Sequence, residues 1–192
     1  MGYRSPALAA FVQPVSVCRT PTVTIQACAN EGEIIARHNQ LRDSLFQVSS
    51  QAALSPAREE RALIPGENCR PADVYLPAWA NGKDCALDVT VVSSLRAGLV
   101  AKFAEDSSAA LAHAHESKMR QSWEACRQEG IEFLPLPVEA LGGWHPGAAK
   151  VIGKLGSQLA QHLGCDDSEV IKHTFERLSI LLMHGNVALI LS

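Results

Sequence analysis

Ala72-Asp73-Val74-Tyr75-Leu76, then Pro77 to Lys83 with Asn81-Gly82 in its middle, then Ala86-Leu87-Asp88-Val89-Thr90-Val91-Val92: the reading of this stretch decides the fold. Two β-prone runs on either side of Asn-Gly form a hairpin, because Asn and Gly tolerate the positive φ that a tight two-residue turn demands. A turn at Asn81-Gly82 sets Asp73 opposite Thr90 and Tyr75 opposite Asp88. Side chains on a strand alternate faces with period two, so Asp73, Tyr75, Asp88 and Thr90 share one face. Two carboxylates therefore converge within one step of the ladder.

Two acids side by side on otherwise apolar strands are costly unless a cation neutralises them, since like charges at close range cannot both stay ionised in a low dielectric. A hard divalent ion resolves that cost, taking carboxylate oxygens and a backbone carbonyl, here that of Val89. The alternative is structural: one acid sits in solvent at a strand end, or pairs with Arg70 or Lys83.

Outward from the hairpin, Ile34, Leu41, Leu45, Val48 and Ala52 recur at helical spacing, which predicts an amphipathic helix from Glu33 to about Ser55-Pro56. A polar loop with Arg and Glu leads to the Pro65-Gly66 turn. After the hairpin, the Ala-rich segment from Leu99 to Glu129 predicts one long helix or two, closed by Gly130 at the C′ position. Ile131 to Val138 is a third strand, apolar on both faces apart from Glu132. Strand, helix, strand in that order favours a crossover and parallel pairing beside the hairpin. Gly142 to Pro146 makes a turn, followed by a helix from Ala148 to Leu163 and a last helical or mixed segment from Ser168 to Leu191.

A chain of 192 residues with 47% apolar and 19% charged side chains suits one domain, residues 33–192, behind a loose extension of residues 1–32. The formal charge of −3 excludes a large positive field, so any nucleic-acid site is a local patch. Six cysteines without a C-x-x-C pair give no disulfide framework and point to a reducing compartment. The apolar run Ala7 to Val12 is short for a signal-peptide core, and no stretch is long and apolar enough to span a bilayer.

Arg70-Pro71-Ala72-Asp73-Val74 followed by Ala86-Leu87-Asp88-Val89-Thr90-Val91 resembles the active-site hairpin of the PD-(D/E)XK nuclease superfamily. More narrowly, it resembles the restriction-like endonuclease domain of site-specific non-long-terminal-repeat retrotransposons and related retroelement-derived proteins. Arg37-His38-Asn39 with Leu41-Arg42-Asp43 is similar to the R-H-N helix opening of that family. Lys118, Cys126, Gly130, Phe133, Pro135-Leu136, Val138-Glu139 and Gly142 to Trp144 continue the likeness downstream. The resemblance implies an α/β, restriction-endonuclease-like core, a mixed sheet with an antiparallel hairpin flanked by helices. It also implies a Mg²⁺- or Mn²⁺-dependent endonuclease acting on DNA, with Asp73, Asp88 and the Val89 carbonyl as metal donors. It leaves the oligomeric state open, with a homodimer as one expectation, and implies an intracellular protein, nuclear if it acts on genomic DNA.

The chain departs from the superfamily pattern in three places. Thr90 stands where a lysine is usual, and the retrotransposon nucleases, alike in this, place the lysine on the following helix, which points to Lys118. Read alone, a lysine within Glu116-Ser117-Lys118-Met119-Arg120 is a solvated helix face; the resemblance makes it a catalytic residue that stabilises charge on the attacked phosphate or orients the nucleophilic water. Ser122 replaces a tyrosine common one turn after that lysine. Where relatives carry a Cys-Cys-His-Cys zinc knuckle, only Cys18 and Cys28 remain, with Val23 at the histidine position; residues 1–32 thus read as its degenerate remnant.

His38 shares the stripe of Ile34, Leu41 and Leu45, so it is either a core histidine with a backbone partner or, with Arg37, a neighbour of the metal or a phosphate. Glu59, Glu60 and Glu139 are further acids that could approach the metal, although Glu139 beside Gly142-Gly143-Trp144 suits bracing a turn. His113-Ala114-His115 lacks the acid that should follow a metal-binding H-x-H, and its rings fall on different helix faces. Two functions follow: a metal-dependent DNA endonuclease, or a catalytically inactive nucleic-acid- or protein-binding module on the same fold, favoured by the negative charge, the lost tyrosine and the missing knuckle. A junction resolvase would share the chemistry and differ in substrate.

Overall fold

A computed structural model describes residues 31–58, 72–93 and 107–191. In chain order these form α1 (Glu31–Gln51), β1 (Ala57–Arg58), β2 (Val74–Ala80), β3 (Lys83–Val92), α2 (Ser107–Gln128), β4 (Glu132–Glu139), α3 (Pro146–Leu163) and α4 (Asp167–Leu191). The architecture is α/β, with a four-stranded mixed sheet in the order β1-β2-β3-β4: β1, β2 and β3 pair antiparallel, and β4 runs parallel to β3. The parallel pairing follows from the intervening helix, as the order of elements predicts. The expected helix start at Leu99 lies outside the described residues, and the final segment is one continuous helix.

Helices cover both faces of the sheet. Val74, Leu76, Leu87, Val89, Leu136 and Val138 point to one side, into a core shared with Leu41 and Leu45 of α1, Ile152 and Leu155 of α3, and Leu178 and Leu182 of α4. Ala86 and Phe133 point to the other, against Met119 and Cys126 of α2. Burying each such leucine contributes roughly 1.5–3 kcal/mol. A one-residue slip of β3 would put Asp88 and Thr90 into the large core in place of Leu87 and Val89, so the register is strongly specified.

Asn81 (φ 52°) and Gly82 (φ 72°) form the two-residue turn closed by Ala80↔Lys83. Beyond it the ladder departs from expectation. Between Ala80↔Lys83 and Leu76↔Cys85, β2 carries Pro77, Ala78 and Trp79 where β3 has only Asp84. Pro77 has no N–H to donate, Ala78 adopts φ 50°, and Trp79 turns into the core. Asp84 holds this bulge, accepting the Ala78 N–H at 2.9 Å and the Tyr75 hydroxyl. The register beyond the bulge moves by two, so Tyr75 faces Ala86, not Asp88, and the pairs Asp73–Thr90 and Tyr75–Asp88 do not form. The shift is even, so parity survives within β2, but the ladder ends at Val74↔Leu87: the Asp73 N–H turns to the Leu87 carbonyl, and Asp73 lies outside the strand.

The helix ends follow local chemistry. Gly130 (φ 74°) closes α2: its N–H reaches the Arg127 carbonyl while Ile131 N–H reaches that of Cys126, the paired bonds of a Schellman motif. His145 caps α3, its Nδ1 accepting the Gly147 N–H at 3.2 Å with Pro146 at the first helical position.

Candidate functional site

β2 stops short of the full length of β3, and the site lies where the two separate. The Asp73 N–H still donates to the Leu87 carbonyl at 2.8 Å, but the next groups of β3 on that side, the N–H and C=O of Val89, have no strand opposite them. Buried backbone groups must find partners. Asp73 Oδ2 accepts the Val89 N–H at 2.7 Å, and His38 Nε2, reaching over from α1, lies 3.1 Å from the Val89 carbonyl and 3.1 Å from Asp73 Oδ2. With an acceptor on each side, Nε2 is the protonated ring nitrogen, an assignment from the network. His38 titrates above the ordinary imidazole range, chiefly through its hydrogen bond to Asp73, with burial opposing.

Asp88 projects toward α2. Lys118 Nζ lies 2.9 Å from its Oδ2 and donates to Oδ1 at 3.2 Å. Asp88 is 13% exposed and Lys118 32%, so the carboxylate carries most of the desolvation. Burial pushes Asp88 above the usual carboxylate range, outweighing the ammonium beside it; the charge of Asp73 acts in the same direction as burial. One residue pair along the same face, Thr90 Oγ1 is buried without a hydrogen-bond partner, as is Asp88 Oδ2 apart from its ion pair.

The structure thus brings Asp73, Asp88, Val89, Lys118 and His38 together, from three elements and the residue preceding β2. It separates Arg37, whose guanidinium is buried between α1 and α4 and donates from Nη1 to Asn186 Oδ1 at 2.6 Å. Adjacent helical residues face different ways, so only one of Arg37 and His38 can look at the sheet edge. Arg37 therefore does not border the acids. Glu139 pairs with Val92, four residues along β4 from Pro135, the partner of Asp88. At strand rise that is about 13 Å away. Its backbone braces the following turn through Glu139 N–H to Gly143 O and Gly142 N–H to Glu139 O. Glu59, Glu60, Arg70, Lys102, Cys18 and Cys28 lie outside the described residues. His113 is exposed, and His115 stacks on His145 with ring centroids 4.3 Å apart.

Among the described residues no group of three or more His, Cys, Asp or Glu side chains is disposed to hold a metal. The donor set here is different: two carboxylates and an out-of-ladder carbonyl. All three are hard oxygen donors of the kind that Mg²⁺ or Mn²⁺ takes while keeping several waters. Asp73 Oδ2 and Val89 O already converge on one position, that of His38 Nε2, and the chemistry of the set fits such an ion.

Sequence reasoning missed a cavity of about 610 Å³ lined by His115, Met119, Trp123, Phe133 and Lys83, among others, and not by Asp73 or Asp88. No periodicity signals it, because it arises where α2, β4 and the hairpin turn meet. No protein-family model matches this chain, and no curated protein matches it.

Proposed function

We propose that this chain is a metal-dependent endonuclease that hydrolyses phosphodiesters in DNA, on a restriction-endonuclease-like core of retroelement origin. The observation that carries the reading is the convergence of Asp73 Oδ2 and the Val89 carbonyl on one position, with Asp88 next in the chain to Val89, within reach of the Asp73 charge and bearing the Lys118 ammonium. Asp73, Asp88 and Val89 O would hold Mg²⁺ or Mn²⁺. When bound, such an ion supplies Lewis-acid polarisation of the phosphodiester and acidifies water. Asp73 aims its carboxylate by accepting the Val89 N–H, which also keeps the Val89 carbonyl oriented. Lys118, on a separate helix, can turn its ammonium from Asp88 to the charge that develops on the attacked phosphate, the lysine role that Thr90 cannot fill.

A plasmid-nicking assay with Mg²⁺, Ca²⁺ or chelator, on wild type and Asp88→Ala, tests this. Nicking by wild type with Mg²⁺ that disappears with chelator and in the variant is the expected result. No cleavage of supercoiled, nicked or branched DNA favours the second reading, a non-catalytic nucleic-acid- or protein-binding module. One observation supports that alternative: Asp88 and Asp73 each already have a cationic or N–H partner from the chain itself, in Lys118 and His38.

A further inference from the structure

His38 Nε2 lies at equal distances, 3.1 Å, from Asp73 Oδ2 and from the Val89 carbonyl oxygen. These are two of the three oxygens assigned above to a divalent ion, and they come from residues far apart in the chain. We infer that His38 is a place-holder for that ion, holding Asp73 and Val89 in donor geometry and leaving them when a metal is taken up. The inference rests on the metal-site reading of Asp73 and Val89 and concerns how that site is kept before loading.

The geometry supports displacement over ligation. With two acceptors facing it, Nε2 carries its hydrogen toward both oxygens, so its lone pair is not offered to a cation. The ring is also held lightly at its other end, Nδ1 being 3.5 Å from Asn39 Oδ1, the longest of its contacts. His38 retains 30% exposure, giving the imidazole a path to solvent without disturbing the core beneath α1. Without the imidazole, the Val89 N–H would be left as the donor to Asp73 Oδ2, and the Val89 carbonyl would face that carboxylate with no donor between the two oxygens. One N–H shared between the two oxygens prevents that and preorganises them. The same contact must then compete with metal binding.

The test is calorimetric titration of Mn²⁺ into the full chain as wild type, His38→Ala and Asp73→Asn. His38→Ala should bind Mn²⁺ about tenfold more tightly, the factor associated with one net charge-assisted hydrogen bond. Without metal its melting temperature should fall, and saturating Mn²⁺ should recover the deficit. Equal or weaker binding by His38→Ala, with Asp73→Asn abolishing it, overturns the place-holder while leaving the metal site standing. No binding by wild type or by His38→Ala overturns the metal-site reading and this inference with it. Should His38→Ala fail to fold, wild-type side-chain NMR with Mg²⁺ decides. The imidazole resonances of His38 must move together with the Val89 carbonyl, and a Val89 shift with an unmoved His38 ring overturns the inference.

Discussion

The Lys118 ammonium stands 2.9 Å from Asp88 Oδ2, a contact across 30 residues of chain that joins the middle of α2 to the second strand of the hairpin. Asp88 is the more buried partner, so removing the ammonium strands a desolvated carboxylate. Lys118→Ala should therefore destabilise the protein at pH 7 by about 1–2 kcal/mol, less than a fully buried pair because the lysine keeps solvent access. Urea midpoints read this, and combination with Asp88→Asn should cost less than the sum of the two effects. If the proposed activity holds, Lys118→Ala also lowers the cleavage rate while DNA affinity stays nearly unchanged, since its role belongs to the transition state.

The acids should separate activity from stability. Burial raises the Asp88 pKa despite Lys118, which means that the folded state disfavours the ionised form. Replacing that carboxylate with a neutral isostere relieves the penalty. Asp88→Asn should keep or raise the urea midpoint at pH 7 while abolishing metal-dependent cleavage. Asp73→Ala, which removes the acceptor of the Val89 N–H and the partner of His38, should lower the midpoint; cleavage equal to wild type in either variant would expose a contaminating nuclease.

The pH dependence of stability has a defined sign at two places. His38, with a raised folded-state pKa, contributes stability that is complete below its unfolded value, about 6.5, and is lost as pH rises through the folded value. Asp88, also raised, favours the fold while protonated and withdraws that contribution as pH climbs from the ordinary carboxylate range through its folded value. Melting curves of the metal-free protein from pH 4 to 9 should show the gap between wild type and His38→Gln widest below about pH 6.5 and closing above it. A gap independent of pH would contradict the assignment.

Two glycines away from the acids set how closely the helices pack. A Cβ at Gly185 would fall 2.5 Å from Arg37 Cγ and 2.8 Å from Arg37 Cβ, and one at Gly156 would fall 2.9 Å from Ile171 Cγ1 and 3.0 Å from Ile171 Cα. Neither neighbour is the free end of a flexible chain, so relief requires helix displacement. Gly185→Ala and Gly156→Ala should each cost about 1–3 kcal/mol, despite the higher helix propensity of alanine. Denaturant midpoints at or above wild type would show the helices farther apart than described.

Composition and pattern alone determined the hairpin around Asn81-Gly82 and the helix between β3 and β4, and hence their parallel pairing. Each depends on local rules: turn residues and helical spacing. The actual partner of each acid was decided by the tertiary structure. Turn counting puts Asp73 against Thr90, whereas the two-residue bulge at Pro77 to Trp79, fixed by Asp84 and by burial of Trp79, shifts the register, and Asp73 meets the Val89 N–H and His38 beyond the end of β2. The division between Arg37 and His38 was equally beyond local reading. Both lie at the opening of one helix, and only the packing of α4 and the early end of β2 send one into the core and the other to Val89. Local sequence sets which face a residue occupies, whereas what it meets there depends on elements tens of residues away.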